Sequence, residues 1–354
     1  MAGLKIALIN GIKPMKGSGD GITEYAYNMY LQLRKKNKVD LIYAIERARK
    51  NDALGLIKVN ATLRAKVKAV GRQRYDIFHV VNQEVGFAAK DIKSVSKSNK
   101  VVTTIHDVSR FYPGLQRGAL QGLYNNIVKK SITEAVRYSD FILFDSKQAM
   151  DDARMKLRPK ACAVVNLGID KRFLTRIPLR NRHVFSVGYL GSFAYHKNAI
   201  MALKAANLLK SSCIEFLVYG AGSEDKSISD YAIAHRLTKV KLPGFADESR
   251  KLKIYDNFDL FVFPSLYEGF GLPILEAQAR GLPVIIYKKG KIPKEVRKYC
   301  FEAEDETHMA QIIEDIKRNG YDSKLRRKSI EYARSFTWEN TAKETLKVYK
   351  RVLR

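Results

Sequence analysis

Short runs of apolar and β-branched residues recur along the chain, and segments of helical length separate them. Runs that are apolar at every position, without alternation, indicate strands buried on both faces, as in parallel sheets. The segments between them are long enough for crossover helices, for example 23–33, 199–209 and 308–317. We predict strands at residues 4–9, 76–81, 101–105, 141–144, 163–167, 184–190, 214–219, 240–242, 260–263 and 283–287.

This strand pattern starts twice, once at the N-terminus and again near residue 184, and a polar, basic segment at 168–182 separates the two series. A chain of 354 residues is long enough for two domains. We therefore predict an α/β protein with two Rossmann-like, doubly wound parallel sheets that face each other across a cleft. The predicted parts are 1–170, 171–335 and a last helix at 336–354. Ligands of such sheets bind beyond the carboxyl ends of the strands, so polar motifs at those ends are candidate binding sites.

Two candidate motifs follow strands of the first series. The turn Gly17-Ser-Gly-Asp-Gly21-Ile-Thr-Glu24 comes after the first strand. Glycines there allow close backbone approach, and the next helix offers free N–H groups to an anion. His106 and Asp107 end a later strand, where the imidazole could bind a sugar hydroxyl and Asp107 could orient it. A mobile surface loop and a structural histidine are the alternatives that the sequence leaves open.

The second series opens in a similar way. Gly191 and Ser192 follow its first strand, and Lys197 stands just before a helix. A cation beside free backbone amides is suited to a diphosphate. Gly244 and Phe245 follow another strand and could line a pocket for a base. Ordinary turn glycines and a surface lysine would explain these residues as well.

The most informative segment lies between the predicted strand at 260–263 and the next helix. It places Glu268 on a loop and Glu276 in the first turns of that helix, with Pro273 near the helix start. Glycines and a helix N-terminus again favour an anion, and the two carboxylates could bind sugar and ribose hydroxyls. The candidate binding residues of this segment are Glu268, Gly269, Phe270, Gly271, Leu272 and Glu276.

The amino-acid composition limits the ligands, metals and cellular compartment that we expect for this chain. The chain has 64 Lys and Arg against 36 Asp and Glu, a net charge of +28, which favours anionic partners. No Asp-x-Asp and no metal-ligand spacing occur, so we expect no protein-bound metal and no cofactor. Three cysteines without a C-x-x-C pair suit a reducing compartment. With no signal peptide or membrane span in the sequence, we expect a cytoplasmic protein, at most peripheral on the inner face of the cell membrane.

Taken together, these motifs resemble glycosyltransferase family 4, whose members have the two-domain GT-B fold. The block from Glu268 to Glu276 is similar to the family signature E-x-F-G-x-x-x-x-E. The resemblance spans nearly the whole chain and includes further segments: Gly19–Gly21, His106-Asp107, Phe144-Asp-Ser146, Val165-Asn-Leu-Gly168-Ile-Asp170, Lys197-Asn198 and Phe336-Thr-Trp-Glu339.

The resemblance implies a retaining transfer of a hexose, of mannose or glucose type, from a nucleotide-diphosphate sugar to a hydroxyl acceptor. Lys197 would bind the diphosphate and Glu276 the ribose. Glu268 would hold the sugar, and His106 would lie near the reacting face. Gly21, Gly191, Ser192, Gly244 and Phe245 would complete the donor site, with Asp107 and Glu24 on the acceptor side. One departure is that many relatives carry an Arg where this sequence has Gly191-Ser192.

The resemblance also assigns the acceptor to the first domain and implies a last helix that returns toward it. The stretch 47–74 holds nine Lys or Arg against one acidic residue, which suits a lipid-linked or glycan acceptor at an anionic membrane. A solvated charged helix is the alternative for this stretch. For the whole chain, the alternatives are a basic nucleic-acid-binding protein, for which no reading motif is present, and a GT-B epimerase or phosphorylase.

Overall fold

The computed structural model describes residues 3–15, 21–46, 53–115, 119–175, 177, 184–222 and 224–354. The chain divides into two compact units. Unit 1 combines Met1–Gly168 with Trp338–Arg354, and unit 2 is Ile169–Thr337. The boundaries therefore lie two residues from the expected positions, at 168/169 and 337/338. Among the residues described, no helix has the length and apolar character needed to cross a bilayer.

Unit 1 is built on a six-stranded parallel sheet in the order β2-β1-β3-β4-β5-β6. Its core strands are buried at nearly every position, as the unbroken apolar runs predict. The strands are β1 (Lys5–Ile9), β2 (Lys38–Ile42), β3 (Ile77–Val80), β4 (Val101–Ile105), β5 (Phe141–Phe144) and β6 (Cys162–Val164). The helices are α1 (Gly21–Leu33), α2 (Ala53–Gly71), α3 (Phe87–Val95), α4 (Ala119–Tyr138), α5 (Lys147–Leu157) and, from the end of the chain, α13 (Trp338–Leu353).

Unit 2 carries a second six-stranded parallel sheet, in the order β12-β11-β10-β7-β8-β9. Numbered within the unit, this is the Rossmann order 3-2-1-4-5-6, and the strand order reverses between β7 and β10. The strands are β7 (Phe185–Leu190), β8 (Ile214–Tyr219), β9 (Val240–Gly244), β10 (Leu260–Phe263), β11 (Val284–Tyr287) and β12 (Phe301–Ala303). The helices are α6 (Ala199–Leu208), α7 (Asp225–Ala234), α8 (Lys251–Asp256), α9 (Leu272–Ala279), α10 (Lys294–Arg297), α11 (Glu306–Asn319) and α12 (Ser323–Arg334).

All ten predicted strands are present, and the prediction of two parallel α/β sheets is confirmed. Two edge strands, β2 and β12, were not predicted. Their side chains are largely half-buried, and β12 has only three residues with Glu302 at its centre. Asp40 interrupts the apolar run of β2 and Glu302 that of β12, so a search for fully apolar runs does not detect these two strands.

The terminal helix α13 is anchored in the core of unit 1 by a buried polar chain. The hydroxyl of Tyr349 lies 2.6 Å from Nδ1 of His79, whose Nε2 lies 2.8 Å from Oγ1 of Thr104. That oxygen is in turn 3.0 Å from the hydroxyl of Tyr25 on α1. Burial and the nearby His106 lower the pKa of His79 to about 3, so its imidazole is neutral at physiological pH.

Candidate functional site

At the point of unit 2 where the strand order reverses, Lys197 and Glu268 form an ion pair. The ammonium nitrogen lies 2.8 and 2.9 Å from the two carboxylate oxygens. Lys197 follows β7 and Glu268 follows β10, the two strands at the reversal. Their side chains are 22% and 7% exposed, so the pair is largely desolvated yet open on the lysine side. An ammonium has three N–H groups, and a bidentate carboxylate uses two of them.

Backbone contacts hold these two loops side by side. Leu266 N–H donates to His196 O at 2.8 Å, and the amide of Asn198 donates to Pro264 O at 3.1 Å. Glu268 N–H donates to Lys291 O at 2.9 Å on the loop's other flank. The position of the Lys197–Glu268 pair is therefore fixed by the main chain and does not depend on side-chain rotamers alone.

The turn after β7 brings backbone close to the same region. Gly191 N–H donates to Tyr219 O, and Ser192 O accepts from the Tyr189 hydroxyl. A Cβ atom at Gly220 would lie 2.3 Å from Gly191 O, so only glycine allows this approach. The predicted Gly191-Ser192 turn thus leads directly into the segment that carries Lys197.

Helix α9 begins beside Glu268 because Gly271 turns the chain there. Its φ of +104° lies in a region that L side chains rarely adopt, and Leu272 is the first helical residue. Phe270 is 4% exposed and packs against Phe336, with ring centroids 6.0 Å apart. This packing fixes the loop that includes Gly269. In the first turn of α9, Pro273 has no N–H and Ile274 N–H donates to Gly271 O at 3.1 Å, so the amide of Leu272 is the candidate donor of this helix start.

Glu276 on α9 belongs to a separate buried cluster. Its Oε2 accepts from the Tyr255 hydroxyl at 2.8 Å, and its Oε1 lies 3.4 Å from Nζ of Lys251. The same ammonium is 3.1 Å from Glu248, and Arg172 forms an ion pair with Glu248. Burial raises the pKa of Tyr255 well above its ordinary value, so its hydroxyl remains a donor. Burial opposes the charge of Lys251, but Glu276 and Glu248 outweigh it and raise the pKa of that ammonium.

A cavity of about 460 Å³ lies at the edge of unit 2 near the ends of β8 and β9. Phe193, Gly220, Leu242, Gly244 and Phe245 line it together with side chains of α7. The ring of Phe245 is 61% exposed, which is unusual for phenylalanine. Gly244 and Phe245, the two residues predicted to line a base pocket, are among the residues that line this cavity.

In unit 1, His106 forms a buried pair with a carboxylate that the sequence did not assign to it. Nδ1 lies 2.6 Å from Oδ2 of Asp145, and Nε2 lies 2.9 Å from Val81 O. Both partners are acceptors, so both ring nitrogens are placed to donate, as in an imidazolium. Burial alone lowers the pKa of His106, but Asp145 outweighs it and raises that pKa above its ordinary value. Oδ1 of Asp145 is buried and has no hydrogen-bond partner among the described residues.

The remaining predicted residues of unit 1, Asp107, Gly21 and Glu24, have contacts within their own segments. Asp107 accepts from the backbone N–H of Ser109 at 2.8 Å, so Asp145 is the carboxylate that orients His106. Gly21 is the first residue of α1, and Glu24 follows in its first turn, within reach of the Asn28 amide. The predicted glycines 17 and 19 lie outside the described residues.

The structure thus brings together Lys197 and Glu268 directly and places Glu276 in a neighbouring cluster of the same unit. Asp145 could have been found in the sequence, because it follows a buried strand as His106 does. Lys251 and Tyr255 show no pattern that singles them out. Among the residues that the structure describes, no three His, Cys, Asp or Glu side chains form a group able to hold a metal.

Comparison with known proteins agrees with this architecture. Sucrose-phosphate synthase from Thermosynechococcus elongatus superposes with a TM-score of 0.80 at 19% identity and covers 98% of each chain. HepE of Anabaena, solved in complex with UDP and glucose, superposes with a TM-score of 0.72 at 17% identity and covers 98% of this chain and 99% of its own. In sequence, an O-antigen chain mannosyltransferase of Escherichia coli is 25% identical over 71% of this chain and 70% of its own length.

The two Rossmann-like units and these similarities define a glycosyltransferase with the GT-B fold. An uncharacterised glycosyltransferase of Methanocaldococcus jannaschii is 24% identical over 80% of this chain and 77% of its own length. Residues 170–336 match the family model described as glycosyl transferases group 1.

Proposed function

We propose that this glycosyltransferase is a retaining, family 4-type enzyme that works without a metal. It moves a hexose of mannose or glucose type from a nucleotide-diphosphate sugar to a hydroxyl of a lipid-linked or glycan acceptor. The observation that carries the proposal is the Lys197–Glu268 pair at the strand-order reversal of unit 2. Ligands of doubly wound sheets bind at such reversals.

In this proposal Lys197 stabilises the diphosphate as it accumulates charge during departure of the sugar. The third N–H of its ammonium, the amide of Ser192 and the N-terminus of α9 supply the donors. Glu268 and the amides of Phe270 to Leu272 hold the sugar. The carboxylate also keeps the ammonium fixed at 2.8 Å, and so pre-orients it before the donor arrives.

The rest of the nucleotide would occupy positions farther along unit 2. We place the ribose at Glu276 and the base in the cavity that Gly244 and Phe245 line. To donate to the reacting sugar, the imidazole of His106 in unit 1 would exchange the contact of its Nε2 with Val81 O and keep Nδ1 on Asp145. Gly21, Glu24 and Asp107 would complete the sugar and acceptor side.

Thermal shift against UDP-, GDP- and ADP-sugars tests the donor assignment. A donor at 100 times its Kd stabilises the native state by about 2.7 kcal/mol. For a unit of this size that is a rise of roughly 5 to 10 °C in Tm. Lys197→Met should abolish most of the shift, whereas Lys288→Met, which breaks an exposed ion pair of the same unit, should not. A wild-type protein unmoved by every sugar nucleotide would reject the donor site.

Product analysis tests the reaction itself. With a sugar nucleotide and acceptor, the proton NMR spectrum should show a product whose anomeric configuration equals that of the donor. Turnover should persist in excess EDTA. An inverted product would exclude the retaining mechanism, and loss of turnover that added metal restores would exclude metal independence. An interconverted sugar nucleotide without acceptor would favour an epimerase.

The acceptor proposal rests on charge. Unit 1 has 35 Lys and Arg against 16 Asp and Glu, so it carries +19 of the chain's +28. On α2, the described part buries Val59, Leu63 and Val67 and exposes Lys66 and Lys68. An amphipathic helix with a basic outer face is attracted to anionic lipid headgroups by about 1 kcal/mol per basic residue near the surface.

Co-sedimentation with vesicles tests this surface. Wild-type protein should bind phosphatidylserine-containing vesicles more than neutral ones at low salt. Exchanging Lys66, Lys68 and Arg72 for Glu should remove that preference. The same exchange at Lys343, Lys347 and Lys350, which are exposed on α13 of the same unit, is the control. If both triple variants lose vesicle binding to the same extent, the preference for anionic vesicles comes from net charge, and α2 is not the contact surface. Equally strong binding of duplex DNA at moderate salt would favour the nucleic-acid alternative.

A further inference from the structure

The carboxylate of Glu276 is surrounded by two donors that no motif predicts. Tyr255 donates to one oxygen at 2.8 Å, and the ammonium of Lys251 lies 3.4 Å from the other. Glu276 is 5% exposed. Lys251 supplies the positive charge that faces this buried carboxylate.

The donors are themselves held in place. Lys251 lies 3.1 Å from Glu248, which forms an ion pair with Arg172, and that guanidinium also donates to Glu248 O at 2.7 Å. Arg172 also lies 3.8 Å from Asp170, so the cluster joins two cations to three carboxylates. Within it, Lys251 is the cation that contacts Glu276, and these contacts fix one orientation of the Glu276 carboxylate.

An ionised carboxylate has about four lone-pair positions. Tyr255 and Lys251 occupy one on each oxygen, so one on each oxygen remains. Two acceptor positions at fixed separation match the two adjacent hydroxyls of a ribose. A carboxylate free to rotate, or one that carries a proton, would lose this match.

We infer that Tyr255 and Lys251 are positioning residues that make the donor site selective for ribonucleotides over 2′-deoxyribonucleotides. This inference rests on the proposed function, which places the ribose at Glu276. Neither residue needs to touch the ligand, since both act through the carboxylate. The selectivity should therefore disappear when either residue loses its polar group, even though Glu276 is still present.

Isothermal titration with UDP, GDP and ADP, each against its 2′-deoxy form, tests the inference. A hydrogen bond to a charged group contributes about 1.5 to 3 kcal/mol, so the wild-type protein should bind the ribonucleotide roughly 10- to 100-fold more tightly. In Glu276→Gln, Tyr255→Phe and Lys251→Met this ratio should fall to within about threefold of unity. Lys251→Arg, which keeps the charge, should recover at least part of it.

A purely structural role would give a different result. If Tyr255→Phe and Lys251→Met weaken both forms of the nucleotide equally, the ratio stays at its wild-type value and the inference is overturned. The control is Tyr332→Phe, which removes a hydroxyl that donates to Glu295 O in the same unit and should leave the ratio unchanged. Wild-type protein that binds ribonucleotides without any preference would overturn this inference alone, whereas failure to bind any nucleotide would reject the donor site as well.

Discussion

Replacing Glu268 by Gln should tighten the binding of a nucleoside diphosphate while it slows sugar transfer. The substitution keeps the shape of the side chain and removes the charge that faces Lys197 at 2.8 Å. In the wild-type protein a diphosphate must share the ammonium with a carboxylate of its own charge. The diphosphate is therefore attracted by the ammonium of Lys197 and repelled by the carboxylate of Glu268.

The magnitude of that repulsion follows from the geometry of the ammonium. A phosphate oxygen and the carboxylate oxygen that contact one nitrogen at about 2.8 Å, in tetrahedral directions, lie about 4.6 Å apart. Coulomb's law at an effective dielectric constant of 20 gives about 3.6 kcal/mol. The lysine side chain is 22% exposed, so water and small shifts of the ligand reduce this value. We expect at least about 1.4 kcal/mol, or tenfold in Kd.

Titration calorimetry with UDP, GDP and ADP measures the effect. Glu268→Gln should lower the Kd at least tenfold, and Lys197→Met should raise it at least tenfold. Glu304→Gln makes the same change in the exposed pair with Lys288 of unit 2 and should stay within twofold of wild type. The kcat of Glu268→Gln should fall because the sugar loses its carboxylate. Unchanged or weaker nucleotide binding by a folded Glu268→Gln protein would refute the reasoning.

Three further outcomes are expected. The pKa of His79 is lowered to about 3 in the folded protein, so below pH 6.5 the unfolded chain binds a proton that the folded protein does not. The free energy of unfolding therefore decreases as the pH falls from 6.5 toward 3. Wild type should therefore lose roughly 2 kcal/mol more unfolding free energy between pH 7 and pH 5 than His79→Gln, and equal losses would contradict this. Asp145→Asn should lower the pKa of His106 below its ordinary value in an NMR titration, whereas Asp107→Asn should lower it much less; similar shifts would reject Asp145 as the partner. Gly220→Ala places a Cβ atom 2.3 Å from a backbone oxygen and should cost about 1 to 3 kcal/mol of stability and weaken nucleotide binding; an unchanged Tm would exclude the clash.

The sequence predicts the buried strands of this fold well because burial on both faces leaves an unbroken apolar run. It does not predict the edge strands β2 and β12, where one face meets solvent and the run is interrupted. Strand ends are less certain than strand centres, as at β6, which begins and ends before the predicted 163–167. Pairing order depends on contacts far apart in sequence, which apolar periodicity does not encode.

The candidate site divides in the same way. Lys197 and Glu268 are each visible in sequence, because each follows a buried strand beside glycines. Their contact across 71 residues becomes apparent only when β7 and β10 are seen as neighbours. Lys251 and Tyr255 come from a short helix whose charges look like those of any solvated surface. Their relation to the candidate site becomes visible only from their tertiary contacts with Glu276.

The path of the chain also determines when each unit can fold. Unit 2 is an uninterrupted segment, whereas unit 1 is completed by Trp338–Arg354, which is made after it. During synthesis, unit 2 has all its residues once Thr337 has emerged from the ribosome. Until α13 follows, the core of unit 1 lacks Tyr349, and His79 lacks one of its two buried partners. Nascent unit 1 should therefore remain a substrate for chaperones after unit 2 has folded, and docking of α13 should end that dependence.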